Sequence, residues 1–281
     1  SELVDGELNY AEAVVPGESE KEVFFSTYFC HPSMANNECS GPALSAELVR
    51  FVASMEKRKY TYRFVYIPET IGSITYLSQA AHLKHMKETM VAGFNLSCVG
   101  DDRDYSIVES RYANTLADKV LKNVLHYQTE GKYSTYSFLK RGSDERQYNA
   151  PGIELPVVCF CRSKFGEYPE YHTSADDMKL VTPLGFQGSY EVLTKVIQAL
   201  EHNEYYKIKV LGEPQLGKRG MYPTISQKGS YDSVKAMTDL IAYADGKNDL
   251  IDISNTIGVS VNELIHIVEN LIENKLMEVM A

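Results

Sequence analysis

His31 and His172 are the residues whose surroundings best suit metal chemistry. His31 follows an apolar, aromatic and β-branched run, residues 22–30, and precedes Pro32, which stops a strand. A histidine just past a strand's carboxyl end faces the edge where α/β sheets place ligands, although position alone favours a surface or capping histidine. The polar loop Ser33-Met34-Ala35-Asn36-Asn37-Glu38-Cys39-Ser40-Gly41 then opens straight into an apolar helix, whose first N–H groups can hold an anionic group. His172 lies in Glu167-Tyr168-Pro169-Glu170-Tyr171-His172-Thr173-Ser174-Ala175-Asp176-Asp177, between a strand and a long helix. A neutral imidazole binds zinc well when its second nitrogen donates to a carboxylate or carbonyl. Glu69 follows another strand, in Ile67-Pro68-Glu69-Thr70-Ile71-Gly72-Ser73. A carboxylate there can serve as metal ligand or general base, or simply cap the next helix. Asp101-Asp102 and Ser143-Asp144-Glu145 end segments of the same kind. Each acidic pair taken singly is more at home in a solvated turn.

These residues need a frame that gathers strand ends. Residues 8–15 and 60–67 alternate as strands, and 22–30, 90–99 and 153–161 are strand-like apolar runs. Residues 42–55, 73–87, 112–126 and 184–203 have helical spacing; Leu44, Leu48, Phe51, Val52 and Met55 share one face. Repeated strand–helix order predicts an α/β domain over residues 1–205, an αβα sandwich with a mixed, mostly parallel sheet. Pro214, Gly217, Gly220, Pro223 and Gly229 mark 206–229 as an irregular connector. Helical patterns at 233–243, 249–257 and 261–273, the turn Gly258-Val259-Ser260 and a short strand at 276–279 predict a small winged-helix domain over 230–281. A strand so near Ser1 predicts that an N-terminal part precedes this sequence.

The 281 residues are 44% hydrophobic and 23% charged, ordinary for a globular protein. No apolar stretch approaches the roughly 20 residues of a membrane helix. A formal net charge of −10 disfavours phosphate backbones as partners. Neither nucleic acid nor membrane is expected, and homo-oligomer formation stays open. The five cysteines include no CxxC pair, and Cys159 and Cys161 share one strand, a poor geometry for a disulfide. Free thiols, and Glu2, Asp5, Glu7 and Glu12 where an apolar leader would stand, lead to the expectation of a cytoplasmic protein.

The order of the polar clusters resembles the di-zinc aminopeptidase family, whose members have an αβα fold. The matches are His31; Asn37-Glu38-Cys39-Ser40-Gly41; Glu69 with Gly72-Ser73; the strand ending near Gly100; Ser143-Asp144; and His172-Thr173-Ser174-Ala175-Asp176. They span roughly residues 20–200. The loops are also similar to a bacterial aminopeptidase-like branch that carries a C-terminal winged helix and is associated with surface-polysaccharide biosynthesis. The resemblance implies a metal-activated water attacking an amide of a peptide-like or amino-sugar substrate, with Glu69 as base or ligand. Three departures matter. The family's bridging aspartate falls on Asn37. Its Glu-Glu pair becomes Glu69-Thr70, or Pro68-Glu69 if the register slips. Its third aspartate falls near Ser97, with Asp101 or Asp102 as substitutes. Two close zinc ions need carboxylate charge between them. The resemblance therefore implies one zinc rather than two, held by His31, His172 and a carboxylate from Glu69, Asp101 or Asp102. Asn37, Asp144, Glu145 and Tyr171 would stand around it. The neutral Asn37 also supports an alternative, a peptidase fold that binds a ligand or partner without hydrolysis. A regulator of transcription rests on the winged helix alone.

Overall fold

The computed structural model describes residues 4–221 and 230–280. Two compact units divide the chain, residues 1–194 and 195–281. The first contains β1 (Ala11–Val15), β2 (Glu22–Tyr28), α1 (Ser40–Ser54), β3 (Thr61–Ile67), α2 (Ile71–Ser78), α3 (Ala80–Thr89), β4 (Met90–Leu96), β5 (Ser106–Val108), α4 (Leu116–Gln128), β6 (Ser134–Tyr136), α5 (Glu145–Tyr148), β7 (Val157–Cys161) and the first turns of α6 (Pro183–Glu201). Its seven strands form one sheet in the order β1-β3-β2-β4-β7-β5-β6. The central four, β3, β2, β4 and β7, run parallel, whereas β1 and β5 flank them antiparallel. This is the mixed, mostly parallel αβα architecture.

The apolar runs without alternation are explained by burial on both faces. Every residue of β2 is buried. Phe24 points to one face and packs with Ile67, Tyr76, Met86 and Tyr148, so α2, α3 and α5 cover that side. Phe25 points to the other and stacks on Phe64 and Phe94, with centroids 5.0 and 5.3 Å away. Thr27 shares this second face, and α1 lies so close that a Cβ on Gly41 would stand 2.1 Å from the Thr27 hydroxyl oxygen. Only glycine permits that approach.

The second unit contains β8 (Tyr205–Ile208), α7 (Ser230–Tyr243), β9 (Asp245–Asp249), α8 (Leu250–Ile257), α9 (Val261–Glu273) and β10 (Met277–Val279), with a three-stranded sheet in the order β10-β8-β9. Helices and a small sheet in this order make a winged helix. Gly258 ends α8 at φ 70°, the left-handed position that favours glycine.

Two expectations need correcting. The helix expected over 73–87 is two helices, because Gln79 adopts an extended conformation between α2 and α3. The irregular connector expected over 206–229 begins with β8, the middle strand of the second sheet; its residues 222–229, with Pro223 and Gly229, lie outside the described residues. β5 and β6, three residues each, were too short for any period to reveal.

Candidate active site

Parallel strands put their carboxyl ends on one edge, so residues far apart in sequence meet there. Tyr28 pairs with Ile67, Thr27 with Leu96, and Leu96 with Phe160. His31, Glu69, Ser97 and the 162–176 loop therefore leave the same edge of the sheet.

Asp176 joins the two histidine loops. A helical turn of the wide, i to i+5 type (Ala35–Cys39) leads into α1, and the first N–H groups of such a segment have no partner of their own. Asp176 supplies partners: its Oδ1 accepts from the Asn36 amide at 2.6 Å and its Oδ2 from the Asn37 amide at 3.0 Å, while its carbonyl takes the Ala35 amide at 3.0 Å. A carboxylate at a helix N-terminus also gains from the macrodipole. Arg103 straps the same loop through a bidentate pair with Glu170, at 2.9 and 2.8 Å. The outcome is that the rings of His31 and His172 lie 4.7 Å apart between centroids. Tyr171 stacks on His172 at 3.9 Å and 16°. His172 has φ 56°, an uncommon backbone state for a residue with a Cβ, held by the turns around it.

Glu38, assigned no role from the sequence, orients His31. Its Oε1 lies 2.8 Å from His31 Nδ1, and its Oε2 accepts from the Cys30 amide at 2.5 Å. A carboxylate in that place puts the ring proton on Nδ1 and leaves the Nε2 lone pair free. This is how proteins orient zinc-binding histidines.

Glu69 follows β3 and is half-buried. Burial raises its carboxyl pKa above the ordinary value, Glu38 and Glu145 add to the rise, and Arg146 and His31 oppose it. Asp144 stands behind it, with no exposure. Its Oδ1 accepts from the Thr70 amide and the Ser73 hydroxyl, both at 2.8 Å. Burial pushes the Asp144 carboxyl up to about 6, against those hydrogen bonds. Glu145 is also buried; its Oε1 holds the Gly142 amide at 2.8 Å, and burial raises its pKa.

At the positions where the family resemblance puts the bridging and third aspartates, this chain has a neutral network. Asn37 Nδ2 donates to the Tyr28 hydroxyl at 2.9 Å, and Tyr28 pairs with the Ser97 hydroxyl at 2.5 Å. The Asn37 Oδ1 is buried without a hydrogen-bond partner. Asp101 and Asp102 do not replace the lost charge. Asp101 is fully buried and accepts from Asn36 Nδ2, the Ser163 amide and hydroxyl, and the Arg103 amide, at 2.7–3.1 Å. Asp102 is exposed and accepts from the Thr182 hydroxyl at 3.1 Å.

Among the described residues, no three His, Cys, Asp or Glu side chains are grouped so as to hold a metal ion. The three-ligand centre expected from the sequence is thus not assembled: the two imidazoles are together and the third ligand is not with them. The donor chemistry, an imidazole pair with a carboxylate fixing one tautomer, fits part of a zinc site.

The sheet order and this edge define an aminopeptidase-like αβα protein carrying a winged helix. A family model described as a domain of unknown function, DUF4910, matches residues 1–203, and a winged helix-turn-helix model matches residues 203–279. The chain belongs to the DUF4910 family. A Clostridium acetobutylicum protein, named provisionally for polysaccharide biosynthesis and for an aminopeptidase-like domain, is 38% identical over 281 residues, covering 99% of this chain and 63% of that protein. A crystal structure of a provisionally assigned peptidase from Clostridium acetobutylicum is similar with a TM-score of 0.86 at 35% identity, over 96% of this chain and 60% of that one. This chain therefore spans less than two thirds of either. A zinc aminopeptidase of Bacillus subtilis shares the fold, with a TM-score of 0.55 at 16% identity, over 68% of this chain and 49% of that one. No helix among the described residues is long and apolar enough to cross a membrane.

Proposed function

We propose that the chain is the larger part of a metal-dependent, aminopeptidase-like hydrolase acting on an amide of a peptide or an amino-modified sugar. The observation that carries this reading is the His31–His172 pair, 4.7 Å between ring centroids, with Glu38 on His31 Nδ1. One zinc ion would be held by His31 and His172, which leaves Glu69 as the general base. When bound, such an ion polarises a carbonyl and lowers the pKa of water. The chain's own residues do the rest. Glu38 holds the His31 tautomer, Tyr171 fixes the plane of the His172 ring, and Glu69 takes a proton from the attacking water. A carboxyl raised above its ordinary range is the better base near neutral pH. The name of the Clostridium acetobutylicum relative supports a place in polysaccharide biosynthesis, and five free thiols suit a reducing cytoplasm.

Zinc titration of the purified protein and turnover of aminoacyl anilides and N-acyl amino sugars test this together. One zinc per chain with turnover, both abolished by His31→Ala and by His172→Ala, is the expected result. Absence of zinc binding ends the reading. The neutral Asn37–Tyr28–Ser97 network favours a second reading, a peptidase fold that binds its ligand without cleaving it. That reading takes over if zinc binds and no amide is hydrolysed.

A further inference from the structure

A strained backbone state lies beside Glu69. Thr70 has φ 62° and ψ −65°, and the Ile71 amide bonds to the Glu69 carbonyl at 2.7 Å. Together these make Glu69-Thr70-Ile71 a γ-turn of the positive-φ kind, which is rare and strained. Threonine is a costly residue at its centre, because a β-branched side chain is a genuine outlier at positive φ. Space forces the turn. β3 ends at Ile67 and α2 starts at Ile71, with Gly72 doubling back so closely that a Cβ there would stand 2.8 Å from Ile67 Cβ and Pro68 Cδ. Such strain persists only where surrounding groups over-determine it.

Those groups come from one segment, 74 residues away in sequence. Asp144 Oδ1 takes the Thr70 amide at 2.8 Å and lies 2.8 Å from the Ser73 hydroxyl, whose single proton is shared between that oxygen and the Thr70 carbonyl at 2.9 Å. Arg146 Nη2 donates to the Thr70 hydroxyl. Behind them, Asn95, the penultimate residue of β4, donates to the Ser143 hydroxyl at 3.0 Å, and Glu145 ties down the Gly142 amide. The Thr70 amide and hydroxyl are thus held from this segment, and the Thr70 carbonyl accepts the Ile74 amide at 3.0 Å. The residue before it, Glu69, is close enough to the histidine loop that its backbone engages Cys30.

We propose that Asp144 and Arg146 are positioning residues: they hold the strained Glu69-Thr70-Ile71 turn and thereby aim the Glu69 carboxylate at the histidine pair. This rests on the reading of Glu69 as the base. The physics is that of a strained strand-to-helix elbow, which presents one side chain at the sheet edge. The sequence motif Ser143-Asp144 acts on the site through Thr70 and touches neither imidazole's partner.

The test compares wild type, Asp144→Asn, Asp144→Ala and Asp144→Ala/Thr70→Gly by amide hydrogen exchange across residues 68–73 and by steady-state kinetics. Asparagine keeps an acceptor for the Thr70 amide, and glycine holds φ 62° without being gripped. In Asp144→Ala, exchange at Thr70 and Ile71 is expected to accelerate about tenfold or more. Its kcat should drop about 100-fold with KM nearly unchanged, the scale of a small misplacement of a reacting group. Asp144→Asn should recover most of both losses, and Thr70→Gly should return about tenfold of the lost kcat. Unchanged exchange in Asp144→Ala overturns the grip. Faster exchange with wild-type kcat overturns the aiming. If Asp144→Ala does not fold, the exchange comparison passes to Arg146→Ala, where unchanged exchange likewise overturns the proposal. A wild type without turnover removes the base reading, and exchange alone then upholds or overturns the grip.

Discussion

With Glu38 accepting from Nδ1 of His31, the imidazole keeps one tautomer whether or not an ion is present. Removing such a partner commonly weakens metal binding by about 10- to 100-fold. Glu38→Gln is expected near the lower figure and Glu38→Ala near the higher, read by competition with a chelating dye; equal affinities in all three proteins would remove Glu38 from the site. Asn37 sets the opposite kind of limit. It is 3% exposed and sits in a neutral network. An aspartate there would be a buried charge, costing on the order of several kcal/mol when unpaired. Asn37→Asp should therefore lower the melting temperature without zinc, regain it with zinc, and bind a second ion. A melting temperature indifferent to zinc would show that charge at residue 37 is not what limits the site. At this scale the sequence was partly legible. His31, His172 and Glu69 stood out because each follows a strand end. Glu38 and Tyr28 did not, because their roles depend on which atom lies 2.5–2.9 Å away across a fold, and residue type carries no such information. Asp101 was opaque for the converse reason: an acidic residue after a strand reads the same whether its oxygens are free or, as here, already taken.

Among the elements, α9 shows how pattern and charge divide their information. Val261, Leu264, Ile265, Val268 and Leu271 are buried, so the apolar stripe is spent on the unit's own core. Glu263, His266, Glu269 and Glu273 are exposed on the rest, and from residue 230 onward three lysines accompany nine acidic residues. A helix that reads a major groove needs cations toward phosphates and donors such as arginine toward bases. The full chain is expected to leave duplex DNA unshifted in a mobility assay at 50 mM salt, and tight, salt-sensitive binding would restore the regulator reading. Long amphipathic helices such as α4 and α9 were legible because many residues vote for one period. The break at Gln79 was not, since it depends on one residue taking an extended conformation inside a helical composition. The π-type turn at Ala35–Cys39 was hidden likewise, being set by Asp176 from 140 positions away.

At the scale of the whole molecule, the buried Asp144 links stability to pH. Its carboxyl ordinarily titrates near 3.8 and in the folded chain near 6. The folded state thus binds that proton more tightly than the unfolded chain, so this group's contribution falls as pH rises from about 4 to about 6 and is flat above. The difference in unfolding free energy between wild type and Asp144→Asn should change across that window, by up to roughly 3 kcal/mol, and be constant from pH 7 to 8; chemical denaturation at each pH reads it. A difference that does not vary from pH 4 to 8 would mean that the proton is not held there. The fold class was legible at this scale because repeated strand–helix order leaves few packings. The Asp176–Asn36 bond has a further consequence. It closes a loop of 140 residues, and such closures come late because chain entropy resists them. All seven strands of the first unit precede residue 162. A ribosome-bound chain can therefore hold every strand of this sheet and still contain only His31 of the pair. Under the proposed function an ion would be captured by the pair only once the loop that carries His172 and Asp176 has docked, so zinc uptake would time that docking rather than the formation of the sheet.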